Sequence, residues 1–487
     1  MNLPLQLDRA APIPLQDQLF EQLRQLILGG RLKPNSRIIA TRFLAEQIGV
    51  SRTTVLLAYE RLISEGYLET RPAIGTFVCS TPPRHPKPES VRSSFSDIPR
   101  QASLHPHLFQ CSPMSHAEVP DGFIDFSPAR YDSSHLLPAK VWLKGMRNVF
   151  EREPEGLAKP QPAAGVLPLR RVIVDYLAAT RGIMASPEQV IIVVGRRQAC
   201  SYVAHLFQRR GDRVVVESPG DESIIGFFKA RDADLIHVPV DEHGLETDRL
   251  PLGSVSLAYV TPARQNPLGG TMPQSRREAL LGWARKAGAY VIEDDSDSEF
   301  RYHGTTPQPL AALDPYGLVF YTGSFAKTLG AGLGFGYLVV PSEFADAMVA
   351  LKSMGEDGCP WLEQMVVADL LTSEEYDHHL RRVRKTYLER RDCLIQALRT
   401  NFGDVHLIGT EIGTQMTWLL PDQFPAAKAM CDAASAHGVN IERVIGESPL
   451  LPGTSRYHDK ALVLGYAGLT TEQLRHGIAR LAGVFSF

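Results

Sequence analysis

The sequence predicts two folded parts in one chain: a small N-terminal α+β unit of three helices and a hairpin, and a much larger α/β domain with a mainly parallel sheet that ends in a smaller α+β part. Three observations predict it. Composition changes sharply near residue 79, where long aliphatics give way to proline, serine and histidine. Before that point, apolar residues recur at helical spacing between capping residues. After about Phe123, nearly all-apolar runs of strand length alternate with helical patterns, as in a sheet covered on both faces.

The bulk properties set bounds. A chain of 487 residues exceeds one ordinary domain. With 44% hydrophobic and 22% charged residues and a formal net charge of −3, it has the make-up of a water-soluble globular protein. No apolar run reaches the roughly 20 residues that a membrane span needs. Pro12, Pro14 and Gln16 interrupt any signal-like apolar stretch near the start. The expected location is the cytoplasm, with no membrane partner. The six cysteines, Cys79, Cys111, Cys200, Cys359, Cys393 and Cys431, are scattered, which argues against a metal site or a disulfide framework. Net charge does not advertise nucleic acid, so a DNA-binding signal has to be local.

In the N-terminal unit, residues 1–80, Leu15, Leu19, Leu23, Leu26 and Ile27 share one helical face, and Gly29-Gly30 end that helix. A second helix fits Thr41 to Ile48, with Thr41 as its cap. Gly49 supplies a turn, and Ser51 caps a third helix with the apolar stripe Val55, Ala58, Tyr59, Leu62 and Ile63. Helix, glycine turn, helix is the helix-turn-helix arrangement. Its second helix would present Arg52, Thr53 and Thr54 where such helices meet phosphates and base edges. Tyr67–Arg71 and Thr76–Val78 read as a hairpin around Pro72-Ala73-Ile74-Gly75. The same pattern suits a plain three-helix core, and nine Lys/Arg against seven Asp/Glu add little local charge.

The words themselves narrow the choice. The run "ATRFLAEQIGVSRTTVLLAYERLISEGYLETRPAIGTFV" resembles the winged helix-turn-helix of the GntR family of bacterial regulators over nearly the whole unit. The resemblance implies contacts to a double-stranded DNA operator from Arg37, Thr41, Arg42, Ser51, Arg52, Thr53 and Thr54, with Gly75 in the wing. Ile39-Ala40 departs from the Pro-Ser that the family commonly carries there.

Residues 81–120, with eight prolines between Pro82 and Pro120, read as a semi-extended linker. A large domain over 121–372 and a small one over 373–487 follow. Strands are expected at Val190–Val194, Arg213–Glu217, Leu235–Pro239, Ser256–Thr261, Tyr290–Glu293, Val319–Tyr321 and Tyr337–Val340. Helices are expected at Gln198–Arg210 and Gln274–Lys286, and a long one over Ser373–Phe402 opens the small part. Ligands of open α/β sheets gather beyond the carboxyl ends of the strands. Asn266, Asp294 and Lys327 all fall just after strand runs. A lysine amine can form a Schiff base, a carboxylate can keep a pyridine protonated, and an amide can bind its phenolic oxygen. Gly195-Arg196-Arg197, opening a helix, offers free backbone N–H groups to a phosphate. On residues alone, Lys327 reads slightly better as an exposed loop lysine.

The segments "YVTPARQNPLGGTMP", "YVIEDDSDSEFRY" and "FYTGSFAKTLGAGLGFGYLVVP" resemble the cofactor-binding segments of fold-type-I, class I/II aminotransferases. Joined to a GntR-type head, they resemble the MocR/GabR subfamily across essentially the full chain. The resemblance implies a seven-stranded, mainly parallel sheet with a small α+β subdomain, and a homodimer. It also implies pyridoxal 5'-phosphate joined covalently to Lys327, with Asp294 at the pyridine nitrogen and Asn266 at the 3-hydroxyl. Ser324 and the start of the helix near Gln198 would hold the phosphate.

Several positions depart from that pattern, and they cluster around the same site. Asp221 replaces a ring-stacking Tyr, Ser296 a Tyr, and Gly334 a phosphate-pairing Arg. Ala326 stands where Ser commonly precedes the lysine, "LAKPQPAAG" lacks an aromatic, and Val463 stands where an Arg is frequent. Losing an Arg–phosphate pair removes a strong charge-assisted contact. Arg196 or Arg197 is expected to replace it. The expected function is a DNA-binding transcription regulator that binds pyridoxal phosphate and senses an amine or amino-acid effector, with no catalytic residues in play. A regulator with a cofactor-free body and a working aminotransferase, for which Arg456 is a weak substrate-binding substitute, stay open as alternatives.

Overall fold

The structure is a computed structural model that describes residues 4–8, 13–71, 74–80, 120, 122–128, 136–356, 360–444, 457 and 459–485. The linker expected over 81–120 lies outside them except for Pro120, as do Pro72 and Ala73 of the hairpin turn and Arg456. The chain divides into two compact units, Met1–Ala102 and Ser103–Phe487.

The first unit contains α1 (Leu15–Leu28), α2 (Thr41–Ile48), α3 (Arg52–Ser64), β1 (Leu68–Arg71) and β2 (Gly75–Val78). Leu19, Leu23 and Ile27 of α1 meet Leu44 and Ala45 of α2 and Val55, Ala58 and Leu62 of α3 in one core. Each fully buried aliphatic side chain there contributes roughly 1.5–3 kcal/mol. Gly49 ends α2 in the left-handed region at φ 66°, which turns the chain into α3 at little steric cost. Ser51 caps α3 by accepting the Thr54 N–H at 3.1 Å. Thr41 does not cap α2 as expected. It is the first helical residue, and Ala40 at the cap position offers no side-chain acceptor. The hairpin pairs antiparallel, Leu68 opposite Val78.

The second unit opens with β3 (Ile124–Asp125), α4 (Ala139–Arg152), α5 (Leu167–Arg181), β4 (Val190–Val193) and α6 (Arg196–Phe207). Then follow β5 (Arg213–Ser218), α7 (Glu222–Ala230), β6 (Asp234–Asp241), β7 (Gly244–Leu245), β8 (Leu257–Val260) and α8 (Gln274–Ala287). After them come β9 (Tyr290–Asp294), α9 (Leu310–Leu313), β10 (Val319–Ser324), α10 (Ala326–Leu329), β11 (Gly336–Val339), α11 (Ala345–Gly355) and α12 (Trp361–Leu371). The last stretch has α13 (Glu374–Phe402), β12 (His406–Ile408), β13 (Gln415–Leu419), α14 (Ala427–Ala436), β14 (Val439–Asn440), β15 (Glu442–Arg443), β16 (Ala461–Gly465) and α15 (Thr471–Val484).

The main sheet runs β4-β11-β10-β9-β8-β5-β6-β7. The five strands from β10 to β6 pair parallel, and β11 is antiparallel to both β10 and β4. It is therefore the expected seven-stranded sheet plus the two-residue edge strand β7. Every residue of β4, β8 and β11 is buried, which is why these strands read as unbroken apolar runs. The small part carries an antiparallel sheet, β12-β13-β16-β15, and β14 pairs parallel with β3. Gly269, after β8, lies so close to Gly409, after β12, that a Cβ on it would stand 2.6 Å from the Gly409 Cα. Paired glycines thus let the loop carrying Asn266 rest directly on the small part.

Candidate functional site

Two sites follow from this frame, one in each unit. In the first, Ser51, Arg52 and Thr53 are exposed at the start of α3, and Arg42 is exposed at the start of α2. The backbone of Ile38 donates to Thr76 O at 3.0 Å, and Arg37 bridges Phe77, so this segment lies along the wing strand. A Cβ on Gly75, where φ is +133°, would meet Arg37 Nε at 2.8 Å. The bare glycine is what lets the Arg37 guanidinium lie along the wing. Phe43, 67% exposed on α2, and Leu56 and Leu57 on α3 are apolar surface that the motif reading did not single out.

In the second unit, the carboxyl ends of β8, β9 and β10 and the start of α6 meet β13 around a cleft of about 160 Å³. Its lining includes Arg196, Arg264, Asn266, Asp294, Asp297 and Lys327. Lys327 comes from the short helix α10 that follows β10, Asn266 from the loop after β8, and Asp294 is the last residue of β9. Ser324 and Arg197 are not part of the lining. The Ser324 hydroxyl accepts from the Ala326 N–H at 3.2 Å and so secures the start of α10. Arg197 Nε donates to the Ser223 hydroxyl at 3.2 Å.

Asp294 is enclosed by donors. The Tyr259 hydroxyl donates to its Oδ2 at 2.7 Å, Ser296 donates to Oδ1, and Arg196 Nε stands 3.7 Å from Oδ2. Burial pushes the Asp294 carboxyl above its ordinary value despite Arg196 and the two hydroxyls. The Arg196 guanidinium reaches on to Asp221, which also accepts from Asn266 Nδ2 at 2.9 Å and caps α7 through the Ser223 N–H. Burial works to raise the Asp221 pKa as well, but Arg196 and Ser223 hold it below the usual range.

Lys327 pairs with Asp297, a partner the sequence reading missed. Arg264 approaches the same carboxylate from the other side, Nη1 to Oδ2 at 3.8 Å, and donates from Nη2 to the Gln415 carbonyl of β13 at 3.1 Å. Burial lowers the Lys327 pKa, with Asp297 opposing it. Both Asp297 and Arg264 lie inside segments already singled out, "YVIEDDSDSEFRY" and "YVTPARQNPLGGTMP". The available signals were the lone charge of the second segment, Arg264, and a further acid three residues after Asp294 in the first.

The residues present do not fit pyridoxal phosphate as the cleft stands. Arg196 was expected at the phosphate. It is directed instead at Asp221 and Asp294, the acid needed by a pyridine nitrogen. Arg197, the other candidate for that contact, is not part of the cleft lining, and its Nε donates to Ser223. Gly334 is left-handed at φ +59°, and a Cβ there would stand 3.0 Å from Val194 Cγ1, so the phosphate-pairing arginine has no replacement at that place. Val463 is 3% exposed in the middle of β16, opposite Thr417, and adds no cation.

A winged helix-turn-helix joined to a fold-type-I aminotransferase-like body defines the class: a regulator whose sensing part is borrowed from an enzyme. Comparison with known proteins gives the family. Residues 123–481 match the aminotransferase class I and II family, and residues 15–78 the gntR family of bacterial regulatory proteins. The chain is 32% identical to the probable rhizopine catabolism regulatory protein MocR of Rhizobium meliloti over 99% of this chain and 96% of that one. It is 32% identical to the pyridoxine biosynthesis regulator PdxR of Corynebacterium glutamicum over 82% of each. The chain therefore belongs to the MocR-type branch of the GntR regulators. Among solved structures it is similar to a Pyrococcus horikoshii kynurenine aminotransferase, with a TM-score of 0.70, 24% identity, and coverage of 81% of this chain and 99% of that one. The alpha-aminoadipate aminotransferase LysN of Thermus thermophilus matches with a TM-score of 0.68 and 25% identity, over 78% of this chain and 96% of that one. That enzyme was solved with a phosphopyridoxyl-leucine and the first with PMP.

Proposed function

We propose that this regulator binds a double-stranded DNA operator through the start of α3 and the wing, and that its body is a receptor for a small amine or amino-acid effector. The carrying observation is the exposed, Ser51-capped N-terminus of α3, which offers Arg52, Thr53 and free backbone N–H groups together. A homodimer would bring two heads to two half-sites. Effector binding switches the heads only if the cleft binds it with different affinity in two arrangements. Transamination is not its role on this reading, because neither Gly334 nor Val463 supplies a cation for a phosphate or a substrate carboxylate.

Selection from a random DNA library tests the DNA reading. The full chain should enrich one sequence, and Arg52→Ala should reduce affinity for it and lower the salt dependence by about one ion. Failure of the wild type to enrich any sequence refutes it. A second reading has pyridoxal phosphate held at Lys327, and the meeting of Lys327, Asp294 and Asn266 in one cleft favours it. A visible Schiff-base band that borohydride removes, and that Lys327→Ala lacks, is its signature.

A further inference from the structure

We propose that Arg196 is a built-in counter-ion standing in for the cofactor ring, so that the body takes its effector directly, without pyridoxal phosphate. Arg196 is the first residue of α6, where free N–H groups would otherwise face a bound anion. Its side chain crosses to Asp221 at the head of α7 and Asp294 at the end of β9. A guanidinium there gives Asp294 a neighbouring positive charge, as a protonated pyridine would, although its Nε stands 3.7 Å from Oδ2 and makes no hydrogen bond to it. Removing that cation would leave two largely buried acids, whose side chains are only 6% and 5% exposed, without their nearest cation, with Arg197 still acting on Asp221.

The rest of the cleft is consistent with this. Its cations Arg196, Arg264 and Lys327 face Asp294 and Asp297 of the lining and Asp221 outside it, so each cation already has a carboxylate beside it. A phosphate dianion would enter with no uncommitted cation among these lining groups. It would also find glycine at 334. A zwitterion is the better match, because its carboxylate and ammonium can exchange with the Lys327–Asp297 pair without changing the total charge. The effector part of this inference rests on the receptor reading above. The counter-ion role is read from labelling alone, so loss of DNA binding and failure of this inference give different results.

The test is borohydride reduction of the full-length protein with pyridoxal phosphate, followed by peptide mass analysis. Lys385, 80% exposed on α13, serves as the internal standard. Wild-type Lys327 should carry no more pyridoxyl label than Lys385. Arg196→Ser should raise Lys327 labelling by roughly tenfold or more, since a charge-assisted pair no longer holds the ring's place. Stoichiometric labelling of wild-type Lys327 overturns the proposal, whatever the variant does. So does an Arg196→Ser protein that melts cooperatively and labels no better than wild type. If that variant does not fold, the wild-type labelling decides.

Discussion

Ser51 shows how one side chain can serve both folding and recognition. Its hydroxyl takes the Thr54 N–H at 3.1 Å and also lies 2.8 Å from the Thr54 hydroxyl, so it fixes the turn that presents Arg52 and Thr53. Ser51→Ala should cost the head about 1 kcal/mol and weaken DNA binding as the first turn of α3 frays. Urea titration and a mobility shift check both, and an unchanged midpoint contradicts the capping role. At this scale the sequence was informative wherever function depends on position along one segment. Lys327, Asp294 and Asn266 were found because each follows a strand. The Arg196–Asp221 pair was not, since 25 residues and two elements separate its members and only the fold joins them. Asp221 was visible as a departure from the family pattern, but its partner was not.

At the scale of elements, periodicity and caps located the helices of the head and, around the cleft, β8, β9, β10 and α6, with ends shifted by a few residues, but not α7, α10 or β13. The start of α6 moved from Gln198 to Arg196, which places Arg196 in the first turn, facing the cleft. The antiparallel sheet of the small part was legible only as mixed structure, because strands as short as β12 and β15 carry no period. Contact between distant loops was also invisible. Gly269 has φ +98°, and its added Cβ would press on the Gly409 backbone rather than on a side chain able to move. Gly269→Ala should therefore cost about 1–3 kcal/mol through crowding, with strain in the left-handed region adding to it. Gly282→Ala is the control. That glycine sits inside α8 with nothing within 4 Å, so alanine should leave stability unchanged or raise it by roughly 0.5–1 kcal/mol. Equal unfolding midpoints for the two variants would count against the close-approach argument.

For the whole molecule, the division into head and body was legible in composition alone, because a proline-rich stretch with few long aliphatics cannot bury a core. The electrostatics of the body were not, since they depend on burial. Glu217 of β5 accepts from the Thr261 N–H at 3.0 Å and from Gln265 Nε2 at 3.1 Å, and burial pushes its pKa up to about 7. Glu293 of β9 accepts the Leu310 and Ala311 N–H groups at 2.9 Å each and is likewise raised by burial to about 7. A carboxyl raised on folding binds its proton more tightly in the native state than in the unfolded one. Native protein then holds more protons between the ordinary value of 4.5 and about 7, so these two groups make stability fall as pH rises through that window. Each contributes at most about 1.4 kcal/mol per pH unit. His237 and His379, whose pKa values burial lowers, act the other way on the acid side, so the wild-type profile alone mixes the two effects. The difference between wild type and Glu217→Gln isolates one of them. The amide cannot ionise, and it keeps only one acceptor for donors that the carboxyl shares. The variant should therefore be less stable than wild type near pH 5, and the gap should narrow or reverse by pH 8. Thermal melts of both proteins across that range measure it, and a gap that stays constant with pH would show that Glu217 does not change its protonation on folding.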